Sequence, residues 1–250
     1  MFAIEPPSSQ YDLNFVVAGV PVRVSPWFWA ITVIMAVQGQ DKSPATVLIW
    51  VSAVFVSILV HELGHVLAFR YYGTNGHVVL YSFGGLAIPN SNAARDRWAQ
   101  TVISFAGPAA GFLLGALVLA ILTAWGKPWE FDARAPVGEW FTVFAFDPIN
   151  VARLAIAMLY INIFWGLVNL LPIYPLDGGK IAQAHLTYVN PRDGLRQSLM
   201  LSMAAAIGMA VFGLIKLEST FAAFFFGYLA FTNYQMLQAT RGGGFDGRDW

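Results

Sequence analysis

Cysteine is absent from this 250-residue chain, and charge is scarce, with Asp, Glu, Lys and Arg together making up 11%. Without cysteine there is no disulfide, iron-sulfur cluster, thiolate zinc site or cysteine nucleophile. Any metal chemistry must therefore use His, Asp and Glu, and only four histidines are present. Lys+Arg and Asp+Glu both number 14, so net charge offers no footprint for a polyanion, and no nucleic-acid partner is expected. What fills the chain is apolar: 57% hydrophobic residues and a mean hydropathy of +0.59. Such a composition does not make a soluble surface and puts the chain in a lipid bilayer. The opening MFAIEPPSSQ has neither the positive start nor the apolar core of a cleaved signal peptide, so it reads as mature protein.

The expected fold is an α-helical polytopic membrane protein with about six transmembrane helices. Phe15 to Val24 is β-branched with a Gly-x-Pro interruption and predicts a short N-terminal β-hairpin. The predicted spans are Trp27 to about Gln38, Ala45 to Tyr72, Thr101 to Trp125, Val151 to Leu171, Ser198 to Leu217 and Phe221 to Leu237. The first is short and begins at the interface, with Trp27 and Trp29 as anchors. Gly73 to Pro89 reads as a β-rich strand or re-entrant segment, tolerated at membrane depth only if buried in protein or facing water. Asn90 to Gln100 reads as an interfacial helix, and Lys127 to Pro148 is the longest polar connection. Residues 1–240 are taken as a single integral-membrane domain and 241–250 as a Gly-rich flexible tail.

Inside the second span stands His61-Glu62-Leu63-Gly64-His65, an H-E-x-x-H pattern. Two histidines four apart share one helix face, where both imidazoles can hold one zinc ion while the glutamate reaches the attacking water. The 16 apolar or small residues before His61 span about 24 Å of helix, which puts the pattern near the far side of a ~30 Å hydrocarbon core. Ionisable residues at that depth are costly and as a rule functional. The competing reading is a pair of histidines merely hydrogen-bonded in a helical core.

Zinc held by two histidines needs a third protein ligand and an open position. The third histidine of a metzincin would fall on Tyr71, and no glutamate occurs between Glu62 and Glu130. Asp177, His77 and His185 remain. Asp177 stands out because Pro172, Pro175, Gly178 and Gly179 bend the chain around it at the same expected membrane depth as His61. His77 falls in the β-rich segment and His185 on a surface helix after the turn.

These two motifs together resemble the site-2 protease family of intramembrane zinc metalloproteases. His61-Glu62-x-x-His65 is joined by Asn169-Leu170-Leu171-Pro172-Ile173-Tyr174-Pro175-Leu176-Asp177-Gly178-Gly179, similar to the family's N-x-x-P-x-x-P-L-D-G. Phe83-Gly84-Gly85 and Ala106-Gly107-Pro108 are weaker echoes, and the likeness extends from Phe15 to Asn233-Tyr234-Gln235. The resemblance implies one zinc per chain completed by Asp177, with Glu62 as acid and base and Asn169 contacting substrate or the reaction intermediate. It implies a membrane-spanning protein substrate, such as a membrane-tethered regulator. In one departure, the Asn often found after the Gly-Pro of the third span is replaced by small residues such as Gly111, which leaves the metal set intact. Neither a PDZ-like insertion nor an appended regulatory domain is expected.

Zinc at +2 with Asp177 and Glu62 at −1 each is neutral, which lowers the cost of burying the cluster. Nine of the 14 Lys and Arg residues fall on the side expected to hold both termini, and five on the other. That imbalance favours a cell-membrane protein with termini and active site toward the cytoplasm. Two other classes compete. A catalytically silent relative would bind membrane partners but should lose Glu62 or a ligand, and an ion-conducting transporter would also use intramembrane His, Asp and Asn. The oligomeric state is not legible.

Overall fold

A computed structural model describes residues 5–38, 41–82, 84–91, 96–132, 134–135, 140–144 and 149–241. Phe83 of the Phe-Gly-Gly echo, residues 92–95 of the expected interfacial helix and the expected tail from 242 onward lie outside the described residues. The chain divides into two compact units, Met1–Arg95 with Ala106–Leu167, and Asp96–Phe105 with Val168–Trp250.

The first unit begins with the expected hairpin. Strand β1 (Leu13–Val17) pairs antiparallel with β2 (Val20–Val24) across Ala18 and Gly19, whose φ angles of +49° and +73° give the left-handed pair that a two-residue hairpin turn needs. Asp12 is held by the Ser9 amide and by the Arg23 guanidinium at 2.8 Å, and both keep its carboxyl below the usual carboxylate range. Helix α1 (Pro26–Val37) is short, as its apolar run is, and Ser25 caps it with Pro26 in its first turn. Ser43 and Pro44 start α2 (Pro44–Tyr71) in the same way. Strands β3 (Gly76–Tyr81) and β4 (Gly84–Pro89) then form an antiparallel hairpin.

The four strands make one sheet in the order β1-β2-β3-β4, with β2 and β3 parallel from Val22↔Val78 to Val24↔Leu80. A parallel pair needs a crossover, which α1 and α2 supply. Pro21, which has no backbone donor, comes just before the first β2 residue that pairs with β3. Val20, Val22, Val24, Val78, Val79 and Leu80 are buried at the centre of the sheet. The Gly73–Pro89 segment is therefore a strand pair inside a larger sheet, and β4 is an edge. Arg70, in the last turn of α2, donates to the carbonyls of Ala18 and Gly19 at 3.1 and 2.8 Å and ties that helix end to the hairpin turn.

Helix α3 (Arg97–Ala124) contains Pro108, and only its part from Ala106 belongs to the first unit. A two-stranded ribbon of β5 (Trp129–Phe131) and β6 (Phe141–Val143) lies within the expected polar connection. Helix α4 (Ile149–Tyr160) runs into a π-helical segment, Ile161–Trp165, and then the short α5 (Gly166–Asn169). In the second unit, α6 (Asp177–Val189), α7 (Gly194–Ile215) and α8 (Thr220–Arg241) follow the turn at Leu170–Leu176.

Among the described residues, four helical runs are long and apolar enough to cross a membrane: Pro44–Tyr71, Arg97–Ala124, Ile149–Asn169 and Gly194–Ile215. They coincide with the second to fifth expected spans. The first expected span is the 12-residue α1, and the sixth lies in α8, whose second half carries Thr232, Asn233, Gln235 and Gln238. The chain is thus a mostly helical membrane protein with a small β-sheet.

Candidate metal centre

Helix α2 carries the first part of the site. Residues 61 and 65 sit one turn apart on it, and their Nε2 atoms face each other at 3.2 Å with the rings edge to face. Two nitrogens bound tetrahedrally to zinc at ~2.0–2.1 Å each lie roughly 3.3 Å apart, so the pair is already spaced for one ion. One ligand atom from each of His61, Glu62 and His65 lies within 4.8 Å of the others, and all three residues are buried, at 8, 6 and 5% exposure. These donors fit zinc: two imidazoles and a carboxylate, with no thiolate anywhere in the chain.

Two glycines fix where these side chains lie. A Cβ on Gly107 of α3 would overlap both imidazole rings, and one on Gly85 of β4 would overlap the Glu62 carboxylate. The α3 backbone thus closes one side of the histidine pair, and the β4 backbone lies against the glutamate. Gly64 lets α2 meet α3 at Ala106 and Ala110. Gly85 and Gly107 stand in the sequence only as parts of short echoes. Their use was open to reading as close backbone approach, the usual reason for a glycine inside a strand or a packed membrane helix.

Asp177 and Asn169 belong to the second unit. Asp177 is the first residue of α6, where the helix N-terminus favours an anion, and its Oδ1 is 3.2 Å from Lys180 Nζ. It is 3% exposed, and Asn169 is 8% exposed at the end of α5. The turn between them is tight. A Cβ on Gly178 would overlap the Leu170 and Leu171 carbonyls, and one on Gly179 would overlap Ile173 and Tyr174 backbone, which explains the paired glycines after Asp177. The Tyr174–Pro175 peptide is cis. The Tyr174 N–H donates to Ser202 Oγ at 3.0 Å, and its carbonyl accepts from Asn233 Nδ2 at 2.7 Å, so α7 and α8 both hold the turn. Ser202 carried no signal in the sequence beyond being a polar residue in an apolar helix, and Asn233 stood there only as the last edge of the family likeness.

The other two histidines are engaged elsewhere. His77, on β3, lies 3.4 Å from the Glu5 carboxylate. His185, on α6, shares a hydrogen bond with Thr101 Oγ1 at 3.0 Å and packs edge-on against Trp98. Arg97 stacks 3.6 Å over the Tyr188 ring beside them.

A zinc metalloprotease of Methanocaldococcus jannaschii is 26% identical to the chain over 214 residues, covering 82% of this chain and 54% of that protein. The relative Rip3 of Mycobacterium tuberculosis, which also carries a zinc metalloprotease name, is 30% identical over 190 residues, covering 74% of this chain and 43% of the relative. The chain thus spans about half the length of these curated relatives. In fold it is similar to a solved site-2 protease from Methanocaldococcus jannaschii, with a TM-score of 0.56 at 22% identity over 91% of this chain and 95% of that one. The profile of Peptidase family M50 matches residues 49–213, a stretch that takes in the histidine pair and Glu62, the two glycines that lie against them and the Pro-Leu-Asp-Gly-Gly turn. With two thirds of its length matched by that profile, the chain belongs to Peptidase family M50, the site-2 protease family.

Proposed function

We propose that this chain is an intramembrane zinc metalloprotease that hydrolyses peptide bonds in transmembrane segments of membrane-anchored regulatory proteins. The observation that carries the reading is the buried pair of imidazole nitrogens 3.2 Å apart, with Glu62 between them in sequence, on a helix apolar enough to span a bilayer. One zinc per chain would be held by His61, His65 and Asp177. When bound, zinc supplies Lewis acidity that makes water a nucleophile near neutral pH. Glu62 takes the proton of the attacking water and delivers it to the leaving amine. Asn169 donates a hydrogen bond to the oxyanion that forms on the attacked carbonyl. Residues 1–240 act as one membrane domain, with α1 and α8 completing six spans.

The substrate must offer an unwound backbone, because helical carbonyls are already bonded within their own helix. The open edge of β4, whose backbone at Gly85 lies against Glu62, is suited to pair with an extended segment by strand addition. Gly or Asn near the cut lowers substrate helix propensity by up to about 1 kcal/mol per residue relative to Ala. Replacing such residues by Leu or Ala should therefore slow cleavage of a purified single-span substrate without a matching loss of binding. Cleavage confined to folded soluble domains, or indifferent to substrate helicity, would remove this reading.

The Lys and Arg distribution supports an active site and termini toward the cytoplasm. The natural absence of cysteine makes the test clean. A cysteine at Lys42 should react with an impermeant maleimide from outside intact cells, and one at Arg192 only after the membrane is opened. The reverse pattern would invert the orientation and move the site to the other face.

A further inference from the structure

Asn162 lies in the π-helical segment and is 3% exposed. Its Nδ2 donates to Ser57 Oγ on α2 and to the Met158 carbonyl, both at 2.8 Å. A carbonyl can only accept, so the amide orientation is fixed and Oδ1 is the acceptor left over, buried against α3. That oxygen has no hydrogen-bond partner among the described residues. Leaving a buried acceptor unmatched costs free energy, so such an atom asks for an explanation.

What Oδ1 faces is the glycine face of α3. A Cβ on Gly111 would come to 3.5 Å from both Oδ1 and the carbonyl oxygen of Asn162, with no other atom nearer. Gly107, four residues earlier, lies against both imidazoles, and Gly115, four later, would meet Ile163 and the Asn162 Cβ. The metal helix gives the same placement, since Ser57, which Asn162 grips, is one turn before His61. The acceptor therefore stands about one helical turn, roughly 6 Å, from the histidine pair, on the side of the Ser43 end of α2. The π-segment makes this possible, because the extra residue in its turn redirects a side chain, a device common at functional sites.

We propose that Asn162 is a substrate-positioning residue whose Oδ1 accepts a hydrogen bond from a backbone N–H of the unwound substrate, beside Gly111. This rests on the protease reading above. An extended chain advances ~3.3 Å per residue, so the N–H that reaches Asn162 belongs to a residue about two positions from the bond that is cut. A backbone contact of this kind holds any sequence in an extended form, as suits an enzyme whose substrates share a conformation rather than a side chain.

An amide-to-ester scan tests this with the full chain, zinc-loaded in lipid nanodiscs. Synthetic single-span peptides carry one ester in place of each backbone amide near the cut, which removes one N–H at a time. At one position the ester should lower kcat/KM of the wild type about ten-fold, the size of one hydrogen bond. That penalty should vanish in Asn162→Leu and persist in Ser57→Ala, which loses only a structural partner. Gly111→Ala should keep zinc content and thermal stability, since its Cβ makes ordinary contact, yet raise KM by setting a methyl group against Oδ1 where the substrate N–H must approach. A flat scan in a wild type whose cleavage is abolished by Glu62→Gln would overturn the role of Asn162 and leave the protease standing, with Oδ1 satisfied by water. An equal ester penalty in Asn162→Leu, or Gly111→Ala behaving as wild type, would also overturn it. Cleavage undiminished by Glu62→Gln would remove both.

Discussion

Glu62→Gln should leave the protein folded and loaded with zinc while slowing cleavage of a transmembrane substrate by roughly 10²–10⁴-fold, the usual worth of a positioned general base. Glutamine is nearly isosteric, so the β4 backbone at Gly85 still meets a group of the same shape. The proposed ligands should behave oppositely. His61→Ala, His65→Ala and Asp177→Ala should each lose tightly bound zinc and with it all activity, since two donors hold zinc poorly where three are needed. Metal analysis of the purified variants beside a cleavage assay separates the two classes. Full zinc in Asp177→Ala would mean that the third ligand lies elsewhere. His77→Ala is the control, because that imidazole faces Glu5 on the sheet.

The second large effect comes from residues with no side chain. Gly107→Ala puts a methyl group into both imidazole rings, and the rings rather than the α3 backbone must give way. Gly85→Ala does the same to the Glu62 carboxylate. Moving a catalytic group by about 1 Å costs on the order of 10²-fold in rate, so both variants should be severely impaired. Their zinc contents should differ. Gly107→Ala should lose metal readily to a mild chelator, whereas Gly85→Ala should hold it like the wild type and fail in proton transfer. Equal zinc retention in the two variants would show that the histidine pair can shift without losing its spacing.

How much of this was legible depended on how local the cause was. The histidine pair needs only the four-residue spacing of one helix, so His61 and His65 were readable without any fold. The turn before Asp177 was readable because prolines and glycines act on their own backbone. The hairpin at Phe15–Val24 followed from β-branched residues around a turn. By contrast, the parallel pairing of β2 with β3 joins residues some 56 positions apart through two helices, and nothing in either strand names its partner. The π-segment was invisible because Ile161-Asn162-Ile163-Phe164-Trp165 has the composition of any apolar helix. Gly85 and Gly107 were visible as letters, but their purpose depends on what other elements press against them. Spans two to five were found at nearly their observed limits because a continuous apolar run is a local property. The outer two were harder, since α1 is short and α8 turns polar halfway along.

The length of α2 also constrains the lipid around it. Its 28 residues extend about 42 Å, some 12 Å more than a ~30 Å hydrocarbon layer requires. Its far end is pinned by Arg70 to the hairpin turn, so the excess is taken up by tilt or by protrusion. The histidine pair lies within three turns of that pinned end, and its distance from the headgroups therefore follows bilayer thickness. In a thin bilayer more of α2 would stand in water, and in a thick one the pair would be drawn beneath the acyl chains. Hydrophobic mismatch would then set how readily water reaches Glu62, and the membrane itself would tune the proposed chemistry.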